Sequence, residues 1–207
     1  MARNAQDPEK PDRSAFSRRD FLKTAGVSGL AAGVAGVADA EAQSSTRLIG
    51  PGEVSVQLTV NGRRLTLQIE PRVTLLDALR NRADLTGNKR GCDRGACGAC
   101  SMIVDGRLVY SCSTLAIDVQ GKPIRTVDGL ATGNTLHPVQ QAFVDRDALM
   151  CGFCTPGFVM ATVALLEKTP RPTEEQARRG LDGNICRCGT FVRILEAATT
   201  ARVVARG

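Results

Sequence analysis

The sequence predicts an α+β chain: a small domain of two hairpins around one helix, then an all-α domain of four short helices. Three observations carry that expectation. Alternating apolar stretches flank the turn pairs Asn61-Gly62 and Asp105-Gly106, apolar residues recur at helical spacing from Val139 onward, and eight cysteines divide between the two regions.

Val54, Val56, Leu58 and Val60 alternate with polar residues, Asn61-Gly62 is a favoured hairpin turn, and Leu65, Leu67 and Ile69 alternate on the return strand. Thr74 caps a short helix with Leu75, Leu76 and Leu79 on one face, leaving Asp77, Arg80 and Arg82 largely to solvent. Strands at Met102–Val104 and Leu108–Tyr110 meet at Asp105-Gly106, which puts Cys112 just beyond the second. A last strand over Pro123–Val127 completes a β-grasp, ferredoxin-like domain spanning residues 53–128. Gly129–Asn134 reads as a linker to a helical domain over 135–204. Pro138 opens its first helix; a second runs from about Gly157 to Lys168; Thr173 to Gln176 forms a capping box for a third; Phe191, Ile194, Leu195 and Ala198 mark a fourth. Helix N-termini beside cysteines favour thiolates.

The cysteines form two tetrads. Cys92-x4-Cys97-x2-Cys100-x11-Cys112 has the plant-type spacing that holds a [2Fe–2S] cluster, and Cys151-x2-Cys154 is followed by Cys186-x-Cys188. A loop folded around inorganic sulfide needs positive φ and close approach without a Cβ, the expected role of Gly91, Gly95 and Gly98. Lys89 and Arg90 stand beside this loop as cations favouring a cluster's negative charge. Disulfides fit poorly, because Cys-x2-Cys and Cys-x-Cys pairs make poor internal bridges and a chain this long buries a core without staples. Structural zinc does not use the first spacing, but the second tetrad by itself fits either zinc or a second cluster.

The 207 residues carry a formal charge of +6 spread along the chain, with no tryptophan and one tyrosine, Tyr110. Basic blocks and stacking aromatics for nucleic acid are therefore missing. His137, the only histidine, precedes Pro138 and reads as a helix-start residue; Met102 and Met160 read as core; Asp93 and Arg94 tune or solvate the cysteine loop. No Ser/His/Asp set or phosphate loop occurs, so no catalytic residue is expected on this chain.

Residues 1–42 read as a leader. Ser17-Arg18-Arg19-Asp20-Phe21-Leu22-Lys23 precedes an Ala/Gly/Val run from Thr24 to Ala38, too short and mild for a membrane span, and small residues follow at Ala38-Asp39-Ala40. This is the pattern of a twin-arginine signal cleaved after Ala40 or Ala42. That route exports folded proteins to the periplasm, so clusters can cross already buried.

The stretches Lys89-Arg90-Gly91-Cys92-Asp93-Arg94-Gly95-Ala96-Cys97-Gly98-Ala99-Cys100, Cys151-Gly152-Phe153-Cys154-Thr155-Pro156-Gly157 and Gly183-Asn184-Ile185-Cys186-Arg187-Cys188 resemble the iron–sulfur subunit of the xanthine oxidase family of molybdenum hydroxylases. The likeness runs from about Val54 to Ala198, and with the leader it is most similar to the small subunits of periplasmic aldehyde oxidoreductases. The resemblance implies one [2Fe–2S] cluster on Cys92, Cys97, Cys100 and Cys112 and a second on Cys151, Cys154, Cys186 and Cys188. It also implies a large subunit bearing molybdopterin, with or without cytosine dinucleotide. From there electrons would pass through the second cluster to the first, then to FAD in a medium subunit or to a cytochrome c subunit. Family members carry glutamine before the helical-domain Cys-Gly-x-Cys, hydrogen-bonded to the pterin; here that position is Met150, which leaves backbone amides around Cys151 and Gly152 for the contact. Cys188-Gly189-Thr190-Phe191 also departs from the family's Cys-Thr-Gly-Tyr. A stand-alone ferredoxin-type carrier would need only the first tetrad, and a zinc-binding interaction module is the remaining alternative.

Overall fold

Hairpin β1 (Val54–Val60) and β2 (Arg63–Ile69) is set by its turn, where Asn61 (φ 49°) and Gly62 (φ 77°) both adopt the left-handed conformation. That conformation matches the twist of two-residue hairpins and fixes Val60 opposite Arg63 and Val54 opposite Ile69. This computed structural model describes Arg19 and residues 50–202; the leader expected over 1–42 lies, Arg19 apart, outside the described residues.

Helix α1 (Leu75–Arg82) begins where the Thr74 hydroxyl accepts the Asp77 amide at 3.2 Å, and it buries Leu75, Leu76, Ala78 and Leu79. Strands β3 (Ser101–Val104) and β4 (Arg107–Tyr110) turn at Asp105 (φ 49°) and Gly106 (φ 71°). Strand β5 (Pro123–Arg125) inserts between the hairpins, parallel to β1 and antiparallel to β3, giving the order β2-β1-β5-β3-β4. The mixed sheet and single helix are the expected β-grasp arrangement. β5 is shorter than the sequence predicts because side chains take the next amides: Asn61 Oδ1 accepts from Thr126 N at 2.9 Å and Asn88 Oδ1 from Val127 N at 3.3 Å.

Every residue of β3 is buried, because both faces of the sheet are covered. Met102 and Val104 pack with α1 and the hairpin, whereas Ile103 belongs to the cluster around Phe158 and Met160. The covering element is α3 (Thr155–Lys168), apolar on nearly every side and therefore central to the helical half. It starts two residues before the expected Gly157, since Pro156 suits a first turn whose N–H needs no partner. Around it lie α2 (Pro138–Asp145), α4 (Glu174–Leu181) and α5 (Phe191–Thr200), with the Phe158 and Phe191 rings edge to face at 6.0 Å. His137 acts at the helix start, as expected: its Nδ1 accepts from Val139 N at 3.2 Å, and its own amide donates to Gln140 Oε1 at 3.0 Å. Thr173 and Gln176 form the expected capping box of α4. No helix among the described residues is long and apolar enough to cross a membrane.

The two halves form one compact unit. Arg125 on β5 makes a two-pronged ion pair with Glu167 on α3, at 2.6 Å for each prong. Closer in, the first turn of α3 lies directly on the cysteine loop. A Cβ on Gly157 would overlap the Gly98 carbonyl oxygen and stand 2.9 Å from Ala99 Cα. Replacing a helical glycine by alanine normally stabilises by about 1 kcal/mol. At Gly157 the sign reverses: Gly157→Ala should cost about 1–3 kcal/mol through overpacking, a fall in Tm of roughly 2–12 °C for a chain of this size, measured by thermal unfolding.

Candidate metal centres

The first cysteine loop is pinned at its entry and exit. The Arg80 guanidinium donates to the carbonyls of Thr86 and Asn88, each at 2.7 Å, and the buried Asn88 amide donates to the Ser101 carbonyl. Lys89 N donates to Ala99 O at 3.1 Å. Between these ties the backbone turns its amides toward sulfur. Ala96 N and Cys97 N donate to Cys92 Sγ, Cys92 N to Cys97 Sγ and Gly95 N to Cys112 Sγ, all at 3.3 Å. Such donors stabilise thiolate and set the potential of an iron–sulfur group.

The glycines act by two mechanisms. Gly95 (φ +69°) and Gly98 (φ +70°) have the expected positive φ. Gly91 does not; its need is for space, because a Cβ there would stand 2.8 Å from Cys97 Sγ. The flanking cations also differ from expectation. Arg90 pairs with the Asp77 carboxylate and Lys89 Nζ donates to Thr86 O, so Arg94, whose Nε donates to Cys92 O at 3.3 Å, is the cation tied to the loop itself.

The second tetrad sits where two helices begin. Cys151 and Cys154 lie on the turn into α3, and Cys186 and Cys188 on the turn into α5. Gly152 takes φ +78° with open space around it. Thr190 Oγ1 lies 3.6 Å from Cys186 Sγ, as Ser113 Oγ does from Cys112 Sγ.

Thiol acidity divides within each tetrad. Amides at Arg94 and Ala96 hold Cys92 down at about 7, whereas burial pushes Cys100 up to about 11 despite the Cys112 amide. Burial works against Cys186 too, yet the Thr190 amide and hydroxyl outweigh it and leave that thiol at about 7. Cys154 lies beside the start of α3, but burial and the Cys186 thiol push it up to about 12. The expected helix effect is thus outweighed at Cys154 by desolvation.

The thiols also meet two by two. All eight thiols are free, and the strongest side-chain interactions between thiols link Cys92 with Cys97, Cys100 with Cys112, Cys151 with Cys188 and Cys154 with Cys186. Among the described residues, no three Cys, His, Asp or Glu groups converge as they would on one ion. A structural zinc requires four ligands around a single centre. Paired thiols with amide donors aimed at the sulfurs are a donor set that fits a two-iron, two-sulfide core.

A short segment joins the tetrads. Tyr110 Oη donates to Gly183 O at 2.8 Å, Asn184 Nδ2 to Gly98 O at 2.9 Å, and Ile185 N to Cys97 O at 3.0 Å. Sequence reading assigned Asn184 no role of its own within the stretch 183–188, and Tyr110 only the end of a strand and a scarce aromatic. The available signals were a lone tyrosine two residues before Cys112 and an asparagine two residues before Cys186. Cys151 and Cys188 are exposed, and Cys188 shares a surface cavity with Leu149, Met150 and Val192 beside the Asp147–Arg193 ion pair, with Met150 74% exposed.

The glycine environments predict a ranking of alanine substitutions by Tm. Gly152→Ala should cost only the left-handed penalty of about 1–2 kcal/mol, because nothing crowds it. Gly95→Ala should cost slightly more, since it meets only the movable Ser113 hydroxyl. Gly98→Ala should cost most, as its Cβ would stand 2.7 Å from the Gly183 carbonyl oxygen and 2.5 Å from Asn184 Nδ2.

Residues 58–126 match the family described as a 2Fe-2S iron-sulfur cluster binding domain, and residues 126–199 the family described as a [2Fe-2S] binding domain. Residues 15–35 match the twin-arginine translocation pathway signal sequence. The chain is 49% identical to the nicotine 6-hydroxylase small subunit of Paenarthrobacter nicotinovorans, over 72% of this chain and 89% of that one. It is 36% identical to the aldehyde oxidoreductase iron-sulfur-binding subunit PaoA of Escherichia coli O157:H7, over 96% of this chain and 93% of that one. A chain of the quinoline 2-oxidoreductase crystal structure from Pseudomonas putida 86 superposes with a TM-score of 0.70 at 39% identity, covering 72% of this chain and 91% of that one.

Proposed function

We propose a path for electrons through this chain, which belongs to the iron–sulfur small subunits of the xanthine oxidase family of molybdenum hydroxylases. It is an electron-transfer subunit and carries a twin-arginine signal. In the proposed arrangement residues 53–128 and 135–204 hold one [2Fe–2S] group each, on Cys92, Cys97, Cys100 and Cys112 and on Cys151, Cys154, Cys186 and Cys188. Within each group the neighbouring thiols, Cys92 with Cys97, Cys100 with Cys112, Cys151 with Cys188 and Cys154 with Cys186, would act together as ligands. Such a group supplies a one-electron carrier.

The protein's own contribution is placement. The exposed side of the second tetrad, where Leu149, Met150 and Val192 lie beside Cys188, faces the large subunit and its molybdopterin, and electrons enter there. What weighs against a stand-alone ferredoxin is the second cysteine tetrad and its helical half, which such a carrier would not need. Met150 lies on this side. Its thioether has no proton to donate, so a polar contact with the pterin would come from amides near Cys151 and Gly152. The observation that carries the reading is the Ile185 N–H on the Cys97 carbonyl, which ties the residue preceding Cys186 to a cysteine of the first tetrad. From the first tetrad electrons leave for FAD in a medium subunit or for a cytochrome c subunit. Each transfer oxidises the donor site by one electron, reduces the acceptor by one, and breaks no bond on this chain.

The leader, residues 1–42, is removed on export and the assembled complex works in the periplasm. Its substrate is an aldehyde: the likeness to the aldehyde oxidoreductase subunit spans nearly the whole chain, leader included. A nitrogen heterocycle is the second reading, favoured by the higher identity to the nicotine 6-hydroxylase subunit across the cysteine-bearing region.

Iron and sulfide analysis of the purified complex, with EPR after dithionite reduction, should give two distinct [2Fe–2S] signals. Cys112→Ser should remove one and Cys186→Ser the other; bound zinc with neither signal would overturn the assignment. Assayed with an aromatic aldehyde and with a pyridine-type heterocycle, the complex should turn over the aldehyde. Turnover of the heterocycle alone would establish the second reading instead.

A further inference from the structure

We infer that Asn184, supported by Tyr110, is a positioning residue that sets the electronic contact between the two cysteine sites. The inference goes beyond the proposed function and rests on its two loaded sites. Asn184 is 4% exposed, in a segment without regular secondary structure. A polar side chain buried in a loop needs a partner, and this one reaches across the chain to Gly98 O at 2.9 Å. Its backbone is fixed separately, by Asn184 N to Leu181 O at 3.0 Å. The side chain therefore works as a spacer between the end of α4 and the first cysteine loop.

What it holds in place is the next peptide. Ile185 N–H meets Cys97 O at 3.0 Å, and Ile185 is bonded directly to Cys186. From Cys97 Sγ to Cys186 Sγ this route follows covalent bonds through the Cys97 backbone, crosses one hydrogen bond and continues through covalent bonds. Gly183, on the other side of Asn184, is held by the Tyr110 hydroxyl at 2.8 Å, and Tyr110 leads into Cys112. Two side-chain ties thus fix the residues leading into the hydrogen bond that joins the sites. One electron crosses, oxidising the second site and reducing the first, with no proton or bond exchanged.

Removing the Asn184 amide need not unfold the first loop. Gly98 O also accepts from Ser101 N at 3.0 Å, and neither the sulfur-directed amides nor the Lys89 N to Ala99 O bond involves Asn184. Register should be lost before either group is.

The test uses the assembled complex carrying Asn184→Ala, Asn184→Asp, Tyr110→Phe or, as a control, Arg125→Ala, whose ion pair joins the same halves elsewhere. Iron and sulfide content and the two EPR signals are read first. Their absence from the unmodified protein would overturn the underlying reading. With both groups present, the readouts are the magnetic splitting between the fully reduced centres and the rate of electron equilibration between them. Asn184→Ala and Asn184→Asp should weaken the splitting and slow equilibration several-fold. Tyr110→Phe should act in the same direction more weakly, and Arg125→Ala should change neither. Unchanged splitting and rate in fully loaded Asn184→Ala would overturn the proposal, as would an equal loss in Arg125→Ala. If Asn184→Ala loses iron, Tyr110→Phe decides, and an unchanged splitting and rate there overturns the proposal.

Discussion

The carbonyls of Cys97 and Gly98 are the point on which the two halves depend. Both cysteine regions are irregular backbone, and irregular backbone that is buried must find partners for its polar groups. Here each region supplies them to the other, through Ile185 N, Asn184 Nδ2 and the Tyr110 hydroxyl. The same carbonyl of Gly98 limits how closely α3 can approach, so the helix must present a glycine there. Each such hydrogen bond contributes about 0.5–1.5 kcal/mol net. Burying a side chain such as Phe158, Met160 or Ile103 contributes about 1.5–3 kcal/mol apiece. Apolar packing therefore supplies most of the stability and the hydrogen bonds supply the register.

One thiol in each tetrad is far from ready as a ligand. Cys100 and Cys154 are pushed to about 11 and about 12 by burial, so at neutral pH the metal-free protein holds them protonated. A metal group must displace those protons, which couples loading to the packed state of the loops. Cys92 and Cys186, at about 7, are the members of each tetrad nearest to thiolate. Loading before export is consistent with a twin-arginine signal, since that route carries folded proteins.

The elements with local causes were legible in the sequence. Asn61-Gly62 and Asp105-Gly106 demand left-handed backbone and delivered both hairpins; Thr74, His137 and Thr173 fixed helix starts through caps; cysteine spacing gave both tetrads. What escaped is long-range. The tie from Tyr110 to Gly183 spans 73 residues and that from Asn184 to Gly98 spans 86, and neither leaves a local pattern. The run Met102-Ile103-Val104 reads as a strand, but nothing local tells that α3 covers its second face. β5 ended early because Asn61 and Asn88, distant in sequence, take its next amides. Lys89 and Arg90 were expected beside the cysteine loop as cations favouring its charge, yet Arg90 is paired with Asp77 on α1 and Lys89 Nζ with the Thr86 carbonyl.

On the proposed path the two cysteine sites form a series, entered at Cys151, Cys154, Cys186 and Cys188 and left at Cys92, Cys97, Cys100 and Cys112. EPR of two single-site variants of the assembled complex, mixed anaerobically with the substrate it turns over, tests that order most directly. In Cys112→Ser the surviving centre should be reduced by substrate. In Cys186→Ser the surviving centre should accept electrons from dithionite but not from substrate. Equal reduction by substrate in both variants would contradict the series.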